Sequence, residues 1–324
     1  MRDREVGGWY AGRTASGEIV PTKQCYAHAF VILAATSGIL AGIDGSQELL
    51  GDALQIFDRF FWNEAEGLTW DTWNTAFTRA DDYRGINANM HTVEAFLAVA
   101  DVTGSAAYRA RAGRIIDHVI GWARDNSWRI PEHFTGDWHP DLACNQAHPD
   151  DPFKPYGATP GHGIEWARLI TQWALSTYGP DQTKCAEYHS AARELYDRAV
   201  TDGWSADGAP GIVYTTDWSG HPVVRDRMHW TLAEAINTSA VLYRVSRDQS
   251  YVEDYARFLR YLDQQVRDPI HGSWFHQLDA QNRVIGTVWP GKPDLYHALQ
   301  ATLIPYCDPA RSVATFLAHS PAIS

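Results

Sequence analysis

The chain has 324 residues, of which 45% are hydrophobic and 20% charged, enough for a large buried core. Its net charge of -12, with no basic run, argues against nucleic acid or an anionic membrane as a partner. The longest apolar run, residues 27–43, contains His28, Thr36, Ser37 and Gly38, and reads as a buried helix rather than a membrane span.

No Pro/Ser/Gly-rich linker or charge block divides the chain, so residues 1–324 are expected to form one domain. Met1-Arg-Asp-Arg-Glu5 has no apolar segment behind it, and the four cysteines are far apart without a CxxC pair. Both features point to a cytoplasmic protein with reduced thiols.

Helical periodicity predicts ten helices, over residues 24–43, 46–60, 89–102, 105–126, 162–178, 181–202, 229–245, 249–266, 294–304 and 309–318. Short aromatic segments bounded by glycine lie between helix pairs. Gly7–Ala11, Gly67–Trp70, Gly211–Thr215 and Gly272–His276 each read as one strand of a small hairpin, the second of them turning back at Trp73. The recurrence predicts an all-α toroid built from helix pairs with short β-hairpins at one end. Ten helices make five pairs, one fewer than a closed six-pair ring contains, and the chain opens directly on a hairpin.

Four segments bring a histidine to a helix start. Asn87 and His91 are four residues apart, the spacing for one helical face, and such a pair can hold one sugar hydroxyl. Read alone, they equally fit a helix-start amide and a structural histidine. His162 follows Pro160-Gly161 and precedes Glu165 by three, which brings a carboxylate beside an imidazole and orients it. The same pattern suits an ordinary helix N-terminus with its favoured acid. Trp230 follows His229 and is able to stack on a ring substrate or to pack in the core. His297 lies just after Asp294, a good helix cap, in a first turn whose dipole disfavours the cationic ring. A neutral imidazole is what a general base requires. Asp294 is also a candidate contact to substrate, although Lys292 and Asp294 equally suit a surface ion pair. There is no HExxH, GxSxG, P-loop or GxGxxG signature, and no convincing zinc spacing.

At these segments the chain resembles the N-acylglucosamine 2-epimerase superfamily, in particular its branch of mannose- and sulfoquinovose-type aldose–ketose isomerases. The resemblance runs from Gly7 to about Pro309. It is carried by Tyr26-Ala-His-Ala-Phe30, Tyr83–His91, Pro155–His162 with Glu165-Trp-Ala-Arg-Leu169, and Gly291-Lys-Pro-Asp-Leu-Tyr-His-Ala-Leu-Gln300. It implies an (α/α)6 barrel, here short of its first helix pair, and a 1,2-proton transfer on a monosaccharide without cofactor or metal. It further implies that His162 and His297 form the acid–base pair, that Glu165 supports His162, and that His91, Asn87, Tyr26 and Trp230 face the sugar. Lys154 stands where the branch often has arginine, keeping the charge without the two-pronged geometry. The family's N-terminal arginine has no counterpart ahead of Arg2. Alternatives are a sugar 2-epimerase, an inverting glycosidase, for which a second carboxylate is wanting, or an inactive sugar-binding protein. Both a monomer and a homo-oligomer fit.

Overall fold

A computed structural model describes residues 1–320 apart from Ala15, Pro180 and Asp294. Ten α-helices occur among the described residues: α1 (Cys25–Leu40), α2 (Ser46–Phe60), α3 (Ile86–Thr103), α4 (Ala106–Asp125), α5 (Pro160–Tyr178), α6 (Gln182–Gly203), α7 (His229–Ser246), α8 (Ser250–Tyr261), α9 (Leu295–Leu303) and α10 (Val313–His319). The expected helices therefore form, with shifted ends. Helix α3 begins three residues early, at Ile86, and α8 passes into a π-helical turn at Leu262–Val266. The last expected helix is confined to α10, after a 3-10 turn at Ile304–Tyr306. None is long and apolar enough to cross a membrane.

The chain forms two compact units. The first comprises Met1–Val119, His133–Asp141 and the residues from Ala314 onward. Within it α1 packs against both α2 and α3. Helix α3 is buried along most of its length, whereas α2 is amphipathic and buries only one stripe, Leu50, Ala53 and Phe57 among it. Lys23, fully buried, reaches Asp3 at 2.8 Å and the Gly7 carbonyl at 2.5 Å, tying the N-terminal segment to the start of α1.

The second unit comprises Ile120–Glu132 and Leu142–Val313. Helix α5 packs against α6 and α7, and α7 against α8 and α9. A simple division follows from the residues. Helices α5 and α7 are buried through nearly their whole length, while α8 buries little beyond Tyr251, Phe258 and Tyr261. A helix buried all round has no solvent face for polar side chains, so each polar group on it needs a partner inside. Glu165, Arg168, Glu234 and Asn237 are such groups.

The hairpins are short. Trp62–Asn63 pairs with Leu68–Thr69, Thr22–Gln24 with Thr72–Asn74, and Arg84–Gly85 with His133–Phe134, all antiparallel. The hairpin expected from Gly67 to Trp73 is thus two separate pairings. In the second unit Arg227–Met228, Gln277–Leu278 and Val284–Ile285 form a three-stranded antiparallel sheet, with Met228 opposite Gln277 and Gln277 opposite Ile285. Residues 215–224 close a further hairpin, in which Val223 donates to the Thr215 carbonyl.

Candidate active site

The second unit gathers two of the expected histidines around one indole. Helix α5 starts at Pro160, with Thr159 as its N-cap, so His162 lies in its first turn. Gly161 allows the close approach of α7: a Cβ there would stand 2.6 Å from the Trp230 ring and 2.7 Å from the Thr231 side chain. The His162 ring lies 5.1 Å from the Trp230 ring, centroid to centroid, and the His297 ring 5.8 Å from the same indole. The two imidazoles are tilted to it by 33° and 35° and are no farther apart than the sum of those distances. Tyr214 meets Trp230 edge-on, and Met228, Val224, Val288 and Trp289 complete the apolar packing.

Each imidazole is 15% exposed and each has its Nδ1 on a buried carboxylate. His162 Nδ1 is 2.8 Å from Glu132 Oε2, and Glu132 Oε1 accepts from the Thr159 amide at 3.3 Å. That carboxylate therefore serves both the ring and the N-terminus of α5, where the helix dipole favours it. The segment leading to Glu132 is anchored by Arg129, which makes a two-pronged bond to Asp202 at 2.7 and 3.2 Å. His297 Nδ1 is 3.1 Å from Glu234 Oε1. Arg168 Nε donates to Glu234 Oε2 at 2.9 Å, and its Nη2 lies 3.4 Å from Glu165 Oε1. Burial pushes the Glu234 carboxyl up, but Arg168 and the His297 hydrogen bond outweigh it and hold the group below the usual carboxylate range.

With Nδ1–H donated to a carboxylate, the hydrogen of a neutral ring is on Nδ1 and the lone pair is on Nε2. Both histidines are so arranged.

The carboxylate on the His162 ring is thus Glu132, not Glu165 as the i, i+3 spacing suggested. Glu165 faces Arg168, one turn further along α5. Lys292 pairs with Asp268 at 2.6 Å and the Gly272 carbonyl at 2.9 Å, which ties the approach of α9 to the 268–272 turn. Asp294, expected as a cap and a contact to substrate, lies outside the described residues. Lys154 is half-buried; its amide donates to Asp151 and its carbonyl accepts from Asn145. A further histidine, His229, is buried on α7 with its ring 6.1 Å from His297 and 4.8 Å from His276. Burial, then the neighbouring His297 and His276, pull its pKa down to about 3.

In the first unit Asn87 and His91 share a face of α3, because the helix has begun by Ile86. His91 is buried; its Nδ1 is 3.5 Å from Glu94, and its ring contacts Tyr26 at 5.0 Å and Phe30 at 4.9 Å. Tyr26 is 41% exposed. The Asn87 side-chain oxygen is buried and makes no hydrogen bond among the described residues.

Sequence reasoning passed over Glu132, Arg168 and Glu234. A signal existed for two of them: Glu234 is the only carboxylate on α7, within the apolar run Leu232–Ile236, and Arg168 is the only basic side chain besides His162 on α5. A charge within a wholly buried helix needs a partner.

The family model for N-acylglucosamine 2-epimerase (GlcNAc 2-epimerase) matches residues 1–301. The D-mannose isomerase of Pseudomonas cannabina pv. alisalensis is 42% identical over 319 residues, covering 98% of this chain and 77% of that protein. The D-mannose isomerase of Thermobifida fusca is 41% identical over 323 residues, covering 98% and 78%. A crystal structure of D-mannose isomerase superposes with a TM-score of 0.82 at 26% identity, over 91% of this chain and 77% of that one. The cellobiose 2-epimerase of Spirochaeta thermophila DSM 6192 gives 0.77 at 18% identity, over 94% and 75%, a likeness of fold alone. The fold class is the (α/α)6 class expected from the sequence.

Proposed function

The chain belongs to the N-acylglucosamine 2-epimerase family, and from that premise we propose that it is an aldose–ketose isomerase that interconverts mannose and fructose. The observation that carries this reading is the pair of imidazoles flanking Trp230, each with Nδ1 on a buried carboxylate and Nε2 left as a base.

The chemistry follows from two such bases. The cyclic sugar must first open. Nε2 of His297 takes the proton from O1 and returns one to O5, which breaks the C1–O5 bond and frees the aldehyde. Nε2 of His162 then removes the hydrogen on C2 of the open aldose. The electron pair moves into a cis-enediolate, and His162 returns the proton to C1. The proton on O2 passes to O1, so atoms balance and C2 becomes the ketone carbon. Each positioned acid–base group is worth about 10²–10⁴-fold in rate. The developing oxyanion on O1 requires a hydrogen-bond donor, and the neighbouring O2 hydroxyl, whose proton passes to it, supplies one. The indole of Trp230 offers an apolar face to the sugar C–H groups between the two rings. The sugar-contacting role of Asn87, His91, Tyr26 and Lys154, and the supporting role of Glu165, rest on resemblance.

The test is a proton NMR time course of chelator-treated protein with mannose in D2O. Fructose is the expected first product. Glucose appearing first would mean reprotonation at C2, a 2-epimerase, and would overturn the proposal.

A further inference from the structure

The charged network behind His297 extends one residue beyond what this chemistry uses. Arg168 is buried, with Nε on Glu234 at 2.9 Å and Nη2 near Glu165 at 3.4 Å. Glu234 is fully buried and accepts from His297 Nδ1 at 3.1 Å and from Asn237 Nδ2 at 3.3 Å. A buried carboxylate needs a counter-charge. Among the described residues two are within reach of Glu234: the guanidinium, and the imidazole itself should it bind a second proton.

Without the guanidinium, the Glu234–His297 pair reaches neutrality by taking up one proton. Held on the ring, that proton makes an imidazolium with a hydrogen on each nitrogen. Held on the carboxyl, it donates to Nδ1, and the ring's own hydrogen moves to Nε2. Either way Nε2 carries a hydrogen and has no lone pair.

We propose that Arg168 is a positioning residue that keeps the Glu234–His297 pair one proton short, and thereby keeps Nε2 of His297 available as a base. The effect on turnover rests on the isomerase reading above; the proton count does not. Among the described residues of the second unit, the titratable and charged groups facing the pair are Glu165 and Arg168 on α5, His229 on α7, His276 just before the Gln277–Leu278 strand, and Tyr296, whose ring lies 4.8 Å from that of His297. His229 stays neutral through burial and supplies no counter-charge. Glu165 adds a second negative charge and is the more distant of the two carboxylates from the guanidinium. The planar fork of arginine reaches both at once, which the point charge of lysine does not.

The resting enzyme tests this without sugar. In long-range ¹H–¹⁵N spectra of ¹⁵N-histidine-labelled protein near pH 7.5, His297 is assigned by comparison with His297→Gln. The wild type is expected to show Nδ1 protonated and Nε2 bare; a protonated Nε2 there overturns the proposal at once. Arg168→Gln is expected to show Nε2 protonated, whereas Arg168→Lys, which retains the charge, keeps the wild-type pattern. Should Arg168→Gln fail to fold, Glu165→Gln/Arg168→Gln removes one charge of each sign and carries the same expectation. A wild-type His297 pattern in either folded variant overturns the proposal. In parallel, mannose turnover by Arg168→Gln is expected to fall about 10²-fold in kcat, with KM little changed and partial rescue in Arg168→Lys. Wild-type protein that leaves mannose untouched defeats the isomerase reading alone, since the spectra still decide the role of Arg168.

Discussion

Glu132 holds His162 from thirty residues upstream, one carboxylate oxygen on the ring and the other on the amide that starts α5. Such a carboxylate fixes both the tautomer and the direction of an imidazole. Glu132→Gln is nearly isosteric, but its amide is able to offer N–H to Nδ1 and move the ring hydrogen to Nε2. A loss of about 10²–10⁴-fold in kcat is expected, by the logic of an inverted tautomer in a catalytic triad. Steady-state rates on mannose, with circular dichroism to verify folding, decide it; a variant within threefold of wild type contradicts the assignment.

His162→Ala and His297→Ala are each expected to lower turnover by more than about 10²-fold while the protein stays folded. Both side chains sit at helix starts rather than in the deepest core, so thermal melts should move little. Near-normal rates in either variant would falsify the pairing of these two imidazoles.

Gly161→Ala tests the contact between α5 and α7. The added methyl meets the Trp230 ring at 2.6 Å, a distance that packed atoms do not tolerate. Overpacking of this kind costs about 1–3 kcal/mol. Urea denaturation should show that loss, and activity should drop because the indole is displaced. Unchanged stability would mean that the two helix starts are not in tight contact.

Stability should fall as the solution is made mildly acidic. Burial is the main cause that pulls His28 down to about 4 and His229 to about 3, from an ordinary value of 6.5. Below pH 6.5 the unfolded chain binds protons on these rings that the folded chain refuses, so stability declines as pH falls. The decline begins near 6.5 and, for His28, is complete near 4. By pH 5 it amounts to about 2 kcal/mol for each ring. Urea midpoints between pH 7.5 and 5 measure it, and replacing His28 with a neutral side chain of similar size should flatten the slope.

The helices were legible because amphipathic and wholly apolar stretches alternate, and because Pro160-Gly161 marks an entry. The start of α3 was not: Gly85 caps it without a side-chain hydrogen bond, so no capping residue announces Ile86. The Gly67–Trp70 strand pairs with Trp62–Asn63 just upstream rather than with the residues that follow it, and those residues, Thr72–Asn74, pair instead with Thr22–Gln24 far along the chain, which local patterning does not show. His162 and His297 were visible at their helix starts. The His162–Glu165 spacing misled because side chains on a helix lean toward its N-terminus. The ring of His162 reaches the segment ahead of α5, where Glu132 waits, while Arg168 leans back toward Glu165. A bond between a helix and a loop thirty positions earlier leaves no periodic trace in the sequence.

Trp230 packs against both imidazoles, and this makes the indole a mechanical link between them. A mutation that tilts it to favour one ring necessarily disturbs the other. The starts of α5 and α9 therefore cannot be adjusted independently of one another at this aromatic wall.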